Sequence, residues 1–462
     1  MRGCELFMVT DCCVGLGIGL AESFVRRLET VAVTSHSVWL ILIVASLAQI
    51  FDGMDVFLNG YALPGMGKEF AFRSPIYGGL VLSLTLLGMF IGSLAWSTLS
   101  DRIGRKPAFM WTVLIYSVGS GLSGLAPSYP LLLAARVLTG LGLGGEIPIA
   151  NTLVAEFVPA RVRGRVMAVI ANMFPCGWVL ASLAGIFVGI PYGWRVLYFL
   201  GLAPAVLCFF ISRWIPESVR YLLRRGDVDA ANKVLGRIGA PPASTDTVVM
   251  GEDVEVGTVP KFTELYSKTY RQRTAVLSAV LFLGFFVAYG FGGWMPSLLI
   301  GPPYNLPAQQ SFSYALVTNL GAIVISVSIV ALIDRLGRKS TTSIYYGLSA
   351  VTFLIFGLLN PSQNLGLFLA FAFLSGGWFN GGNNATIIWG TEIYPTRMRN
   401  TGEGHGMAWG RIGGVVAPLV AATLLTLFLD RYVFFAMFAV ASAIMALIMF
   451  KFSEETTKKV LG

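Results

Sequence analysis

Asp52, Asp55 and Asn59 stand at i, i+3 and i+7 within an apolar stretch, so a helix there carries both acids and the amide on one face. Arg136 and Glu146 interrupt a second apolar stretch, and His405 and Arg411 a third. A charge at the centre of a hydrocarbon layer costs about 2.5–3.5 kcal/mol on insertion scales, so each of these residues needs a compensating role. Desolvation in a closing cavity drives a carboxylate neutral, whereas a nearby guanidinium holds it ionised. An acid that alternates between those surroundings loads a proton on one side and releases it on the other. Asp55 paired with Arg136 is the first choice for this proton-coupling role, with Asp52 and Glu146 behind it. A permanently ionised structural pair is the alternative.

A second set of residues could recognise a small molecule. Tyr289, Trp378, Asn380, Asn383, Asn384, His405, Trp409 and Arg411 lie in apolar stretches of the second half, and Asn59 adds an amide from the first. Side-chain amides face lipid only at high cost, so Asn380, Asn383 and Asn384 should point into a cavity. Rings beside amides and an arginine suit a planar anion: the rings stack and the guanidinium forks onto a carboxylate. Arg411 is the expected anion anchor. Trp294 reads as an interfacial anchor, and Trp389 divides evenly between belt and cavity.

These residues must be positioned by membrane helices. The chain has 462 residues, of which 12% are charged and 55% hydrophobic. Soluble domains carry about 25% charged residues, so lipid must cover much of this protein. Apolar stretches long enough to span fall at 38–63, 78–100, 108–126, 131–155, 165–189, 195–213, 274–300, 312–333, 341–359, 365–390, 403–429 and 431–451, which makes twelve. No alternation with a period of two runs through them, which excludes a membrane β-barrel. The expected organisation is a lead-in at 1–37, a six-helix bundle at 38–213, a linker at 214–273, a second bundle at 274–451 and a tail at 452–462. An interfacial helix is expected around Glu22–Val33. Of the 33 basic residues, all but Lys68, Arg73, Arg136, Arg195, Arg411 and Arg431 fall in loops of one side, which marks that side and both termini as cytoplasmic. The net charge of +9 is thus distributed by topology and does not point to nucleic acid. Five scattered cysteines and two histidines offer no metal-ligand spacing, and there is no Walker A sequence. No cofactor or metal is expected, and no enzymatic activity.

Internal repetition divides the chain in two. Asp101-Arg-Ile-Gly-Arg-Lys106 recurs as Asp334-Arg-Leu-Gly-Arg-Lys339, an offset of 233 residues. The run from Glu156 through Arg163 recurs as that from Glu392 through Arg399, an offset of 236 for the glutamates. Pro216-Glu-Ser-Val-Arg220 has a weaker echo in Ser453-Glu-Glu-Thr456. Parallel repeats of this kind enclose a cavity near the midplane. The paired acids and bases read as two cytoplasmic gate clamps: Asp101, Arg105, Glu156 and Arg163 in the first half, with Glu217 and Arg220 beside them, and Asp334, Arg338, Glu392 and Arg399 in the second. Orientation alone would require no acids. The glycine run Gly140-Leu-Gly-Leu-Gly-Gly145 follows no strand, so it reads as a surface for close helix approach rather than a nucleotide loop.

On these motifs the chain resembles the major facilitator superfamily from about residue 38 onward, and within it the metabolite–proton symporters. Asp52-Gly-Met-Asp55 is similar to the signature of aromatic-acid/proton symporters, and Gly144-Gly-Glu146 with Gly410-Arg-Ile-Gly-Gly414 resembles the nicotinate transporters. In the resembling sugar–proton symporters, the acid at the position of Asp55 pairs with the arginine at that of Arg136. Ser97 and Val330 stand where the family's loop motif usually has glycine, and Phe174-Pro-Cys-Gly177 replaces the glycine-proline element of family antiporters. The resemblance implies an all-α membrane protein of twelve transmembrane helices in two pseudo-symmetric six-helix bundles. The expected function is proton-coupled import of a small organic anion, such as nicotinate or a hydroxybenzoate, across the cytoplasmic membrane, with a monomer as the functional unit. A proton-linked or facilitative carrier of sugars and neutral solutes, or a membrane sensor without transport, are the alternatives.

Overall fold

The computed structural model describes residues 36–240, 262–301, 304–395, 398–428 and 431–456. The segment expected to form an interfacial helix, three of the cysteines and part of the linker lie outside these residues. Among the described residues, twelve helices are long and apolar enough to cross a membrane. In the first bundle they are α1 (His36–Glu69), α2 (Pro75–Ile103), α3 (Arg105–Leu125), α4 (Tyr129–Phe157), α5 (Arg161–Tyr192) and α6 (Trp194–Trp214). In the second they are α7 (Arg271–Leu298), α8 (Ala308–Leu336), α9 (Arg338–Leu358), α10 (Leu365–Glu392), α11 (Arg399–Phe428) and α12 (Arg431–Phe452). Short helices at Val219–Arg224 and Val228–Ile238, and a 3-10 turn at Phe262–Tyr266, belong to the linker.

Helix ends follow local chemistry. Ser74 caps α2 by accepting from the Ile76 amide, with Pro75 supplying a pre-set φ at the first position. The chain turns sharply between α2 and α3 at Gly104 (φ 103°), and between α8 and α9 at Gly337 (φ 91°). A side chain is strained at either φ, and a Cβ would meet the carboxylate of Glu217 or Glu455 at 2.5 Å. This is why glycine stands inside both copies of the basic loop motif.

The glycine run of α4 brings two helix backbones together. A Cβ at Gly144 would lie 2.1 Å from the Met89 carbonyl oxygen, and one at Gly140 would lie 2.1 Å from that of Thr85. Overpacking a close contact costs about 1–3 kcal/mol. We expect Gly144→Ala to lower the thermal unfolding temperature in detergent, and an unchanged melt would show that α2 and α4 tolerate separation.

The two bundles meet most closely at the end opposite the basic loops. There Ser297 of α7 donates to the Gly60 carbonyl of α1 (2.9 Å), and Ser74 bonds Thr426 of α11 (3.1 Å). Asn319 of α8 donates to Ser182 Oγ (2.9 Å) and to the Trp178 carbonyl (3.3 Å) of α5. Trp294 differs from its expected interfacial position, and Trp389, which divided evenly between belt and cavity, is not in a belt either. Both are buried, because their indole N–H groups reach the carbonyls of Pro418 (3.1 Å) and Glu454 (2.9 Å).

Candidate functional site

The first bundle holds a column of buried polar groups. Asp55 and Arg136 are fully buried and paired, with Nη1 3.3 Å from Oδ1. Ser120 donates to the same Asp55 oxygen at 3.0 Å. Arg136 also donates from Nε to Ser123 Oγ (2.8 Å) and from Nη2 to the Gly119 carbonyl (3.4 Å). Its guanidinium lies 4.2 Å from the centre of the Tyr198 ring, and the Tyr198 hydroxyl donates to Asn59 Oδ1 at 2.7 Å. Asp55 Oδ1 and the guanidinium are held from several sides, whereas Asp55 Oδ2 has no hydrogen-bond partner among the described residues. Breaking the ion pair is expensive. Removing one partner of a buried pair costs about 3–5 kcal/mol. Asp55→Asn should therefore lower thermal stability markedly, and a wild-type melt would mean the pair contributes little to the fold.

Asp52 and Glu146 are different. Both are completely buried, and neither oxygen of either carboxylate has a hydrogen-bond partner among the described residues. Tyr116 lies beside Glu146. Asp52 sits one turn from Asp55, on the side nearer the basic loops, where it faces Arg411 from the other bundle.

Arg411 crosses the gap between bundles. From α11 its Nη1 donates to the Met89 carbonyl of α2 at 2.8 Å, with Tyr289 and Asp52 as neighbours. On the far side, Phe57 stacks on Trp178 (centroids 4.6 Å apart) and approaches Tyr289 (6.2 Å). Cavities of about 30 Å³ and 10 Å³ remain around these rings. Such spaces admit a water or two and no aromatic ring.

The other expected binding residues disperse. Asn59 belongs to the Arg136 network, and Asn380 donates to the Ala322 carbonyl of α8 at 3.0 Å. Trp378 packs edge-on against Tyr345 inside the second bundle, 5.1 Å between centroids. His405 contacts the linker, 3.2 Å from the Tyr266 hydroxyl, and the ring of Trp409 stands 6.5 Å from it, 42% exposed. Asn383 turns toward Gly284 of α7 with its Oδ1 buried and without a hydrogen-bond partner among the described residues, and Asn384 is half-buried beside it. Of the expected binding residues, Tyr289 borders one of the small cavities and Arg411 lies between the bundles. Sequence reasoning missed Trp178 and Asn319, although a lone amide in an apolar span was a usable signal for the second.

The match to a family model described as "Sugar (and other) transporter" covers residues 41–461. The chain belongs to that family, within the major facilitator superfamily. It is 33% identical to the niacin transporter NiaP of Acinetobacter baylyi over 444 residues, covering 95% of this chain and 98% of that one. It is 30% identical to the 4-hydroxybenzoate transporter PcaK of Pseudomonas putida over 397 residues, covering 84% and 86%. Among solved structures, the inward open conformation of the xylose transporter XylE from E. coli aligns with a TM-score of 0.74 at 18% identity, covering 92% of this chain and 98% of that one. This likeness concerns the fold. The protein is a multi-pass membrane transporter and not an enzyme.

In this transporter the repeated loop motifs build two matching charge clusters. Arg105 pairs with Glu156, and Glu217 accepts from the backbone amides of Arg105 (2.9 Å) and Lys106 (3.2 Å). In the second half Arg338 pairs with Glu392 (2.9 Å) and Asp334 (2.7 Å). Glu455 there accepts from the amides of Arg338 (2.9 Å) and Lys339 (3.2 Å). The tail echo is therefore structural: Glu455 does for α9 what Glu217 does for α3. Each of these pairs stays within its own bundle. Arg220 lies near Glu156, Arg163 donates to the Val158 carbonyl (3.0 Å), Arg399 lies beside Glu403, and Asp101 is exposed.

Proposed function

We propose that the protein imports a small organic anion together with protons by alternating access. The cargo of this reading is an aromatic or heteroaromatic monocarboxylate such as nicotinate or a hydroxybenzoate. The membrane is the cytoplasmic one, both termini and the basic loops face the cytoplasm, and a single chain forms the transport path. The observation that carries this reading is Arg411, a cation within a membrane-spanning helix of one bundle that rests on a backbone carbonyl of the other, beside a carboxylate with no hydrogen-bond partner among the described residues. Niacin and 4-hydroxybenzoate, named for two relatives, are single-ring carboxylic acids.

Substrate carboxylate displaces the Met89 carbonyl from Arg411, while Tyr289, Asn383 and Asn384 border the ring. Ionised Asp52 competes for the same guanidinium and repels the incoming anion. A proton on Asp52 removes both obstacles, so proton and anion bind cooperatively, and by linkage each strengthens the other. Glu146 is the second proton site, and Asp55 with Arg136 forms the fixed framework beside it. The two basic-loop clusters brace each bundle as it rocks. A neutral sugar would gain no ionic, forked pairing from Arg411, which sets the sugar reading behind this one. A transport-inactive sensor would bind without flux.

The test is uptake into proteoliposomes under an imposed pH difference, with nicotinate, 4-hydroxybenzoate, nicotinamide and xylose compared. Proton-driven accumulation of an acid supports the proposal. Accumulation of xylose alone, or binding without flux, overturns it.

A further inference from the structure

The end opposite the basic loops carries its own cations. Between the α1–α2 turn and the end of α7 lies a cavity of about 430 Å³, lined among others by Lys68, Phe72, Arg73, Ser74, Trp294 and Ser297. Pockets that hold small ligands span about 300–1,000 Å³, so this one admits a single-ring acid. Lys68 and Arg73 are exposed, and neither makes a hydrogen bond or ion pair with any described residue. The adjacent acid does not neutralise them. Glu69 turns to α6, where it pairs with Arg195 at 2.5 Å and accepts from the Trp194 indole at 2.8 Å. Lys68 and Arg73 are also among the few basic residues that depart from the strong charge skew of the chain, at a position where topology would favour none. The capped N-terminus of α2, at Ser74, adds partial positive charge to the same wall.

The floor of the cavity is formed by contacts that close the bundles. Ser297 donates to Gly60, and Trp294 lies where a Cβ on Gly78 would meet it at 3.0 Å. Trp294 also donates to the Pro418 carbonyl of α11 at 3.1 Å, so the floor joins α1, α2, α7 and α11.

We propose that this cavity is an outer vestibule that gathers small organic anions electrostatically before the path opens, with Lys68 and Arg73 supplying the charge. The inference rests on the proposed import of an anion from this side. A cleft lined by one sign of charge raises local counter-ion concentration and encounter rate, and salt screens the effect over about 10 Å at ordinary ionic strength.

Two measurements test it. In proteoliposomes at low salt, Lys68→Gln/Arg73→Gln should raise the KM for nicotinate by about 3- to 10-fold with turnover unchanged, and the difference should vanish at high salt. Uptake of neutral nicotinamide should not change, and Lys68→Arg/Arg73→Lys should behave as wild type. The second measurement needs no transport. Gly301 lines the cavity, and a Cβ there meets only the Leu298 carbonyl at 3.8 Å, so Gly301→Cys places a thiol in it. That thiol should react faster with a sulfonate-bearing than with a trimethylammonium-bearing methanethiosulfonate, relative to free cysteine. The preference should fall several-fold when both cations become glutamine. The same reagent ratio with and without the cations overturns the vestibule, whatever the protein carries. A charge-dependent ratio in a protein that moves no organic anion would instead overturn the proposed function.

Discussion

Arg411→Ala should abolish uptake of the acid substrate at ordinary concentrations while leaving the protein folded. Among the described residues the guanidinium makes one direct hydrogen bond, to the Met89 carbonyl, so its loss costs the fold about 1.5–3 kcal/mol. Its loss to a bound carboxylate is larger. Truncating one side of a buried charged pair costs about 2–5 kcal/mol, which is roughly 30-fold to several thousand-fold in affinity. Arg411→Lys keeps the charge and loses the fork, so it should fall between the two. The checks are the apparent affinity for nicotinate or 4-hydroxybenzoate in proteoliposomes and a thermal melt of the same preparations. Normal acid uptake by Arg411→Ala would remove the anion anchor and bring the neutral-solute reading forward.

Asp52→Asn uncouples movement from the pH difference. The amide resembles the protonated acid in shape and charge, so substrate should still bind and exchange across the membrane. What disappears is accumulation. One pH unit is worth 1.36 kcal/mol per proton, which supports about tenfold accumulation for each proton coupled. With Asp52→Asn the inside-to-outside ratio should fall toward one, with counterflow retained and little dependence of affinity on pH. If this variant still concentrates substrate as wild type does, Asp52 is not the coupling group. The same assay on Glu146→Gln and on Asp55→Asn then decides among the remaining acids. Asp55→Asn carries the added expectation of a lowered melt, because it leaves Arg136 buried beside an amide.

The spanning segments, the two halves and the repeated loop clusters were legible because each depends on local composition. Twenty apolar residues cross a bilayer whatever surrounds them, and a duplicated Asp-Arg-x-Gly-Arg-Lys is visible without coordinates. The pairing of Asp55 with Arg136 was also legible, since few charges share a membrane interior and they must find each other. Substrate residues were harder. Asn380 and Asn384 share a helix face by spacing, yet Asn380 serves an α8 carbonyl and Asn383 faces α7. Helical periodicity names a face and does not say which neighbour the face meets. His405 illustrates the same limit, as its partner Tyr266 comes from the linker.

Composition and spacing by themselves determined that this is a twelve-helix membrane protein of two related halves with buried acids and arginines. They suffice because lipid imposes one rule on every residue: apolar unless compensated. Only the tertiary structure decided that Asp55 is held by Arg136 and Ser120 while Asp52 and Glu146 have no hydrogen-bond partner among the described residues, that Arg411 spans the gap between bundles, and that Lys68 and Arg73 line an open cavity while Glu69 turns away. Those distinctions depend on which helices cross and at what depth, and that information is shared between segments hundreds of residues apart.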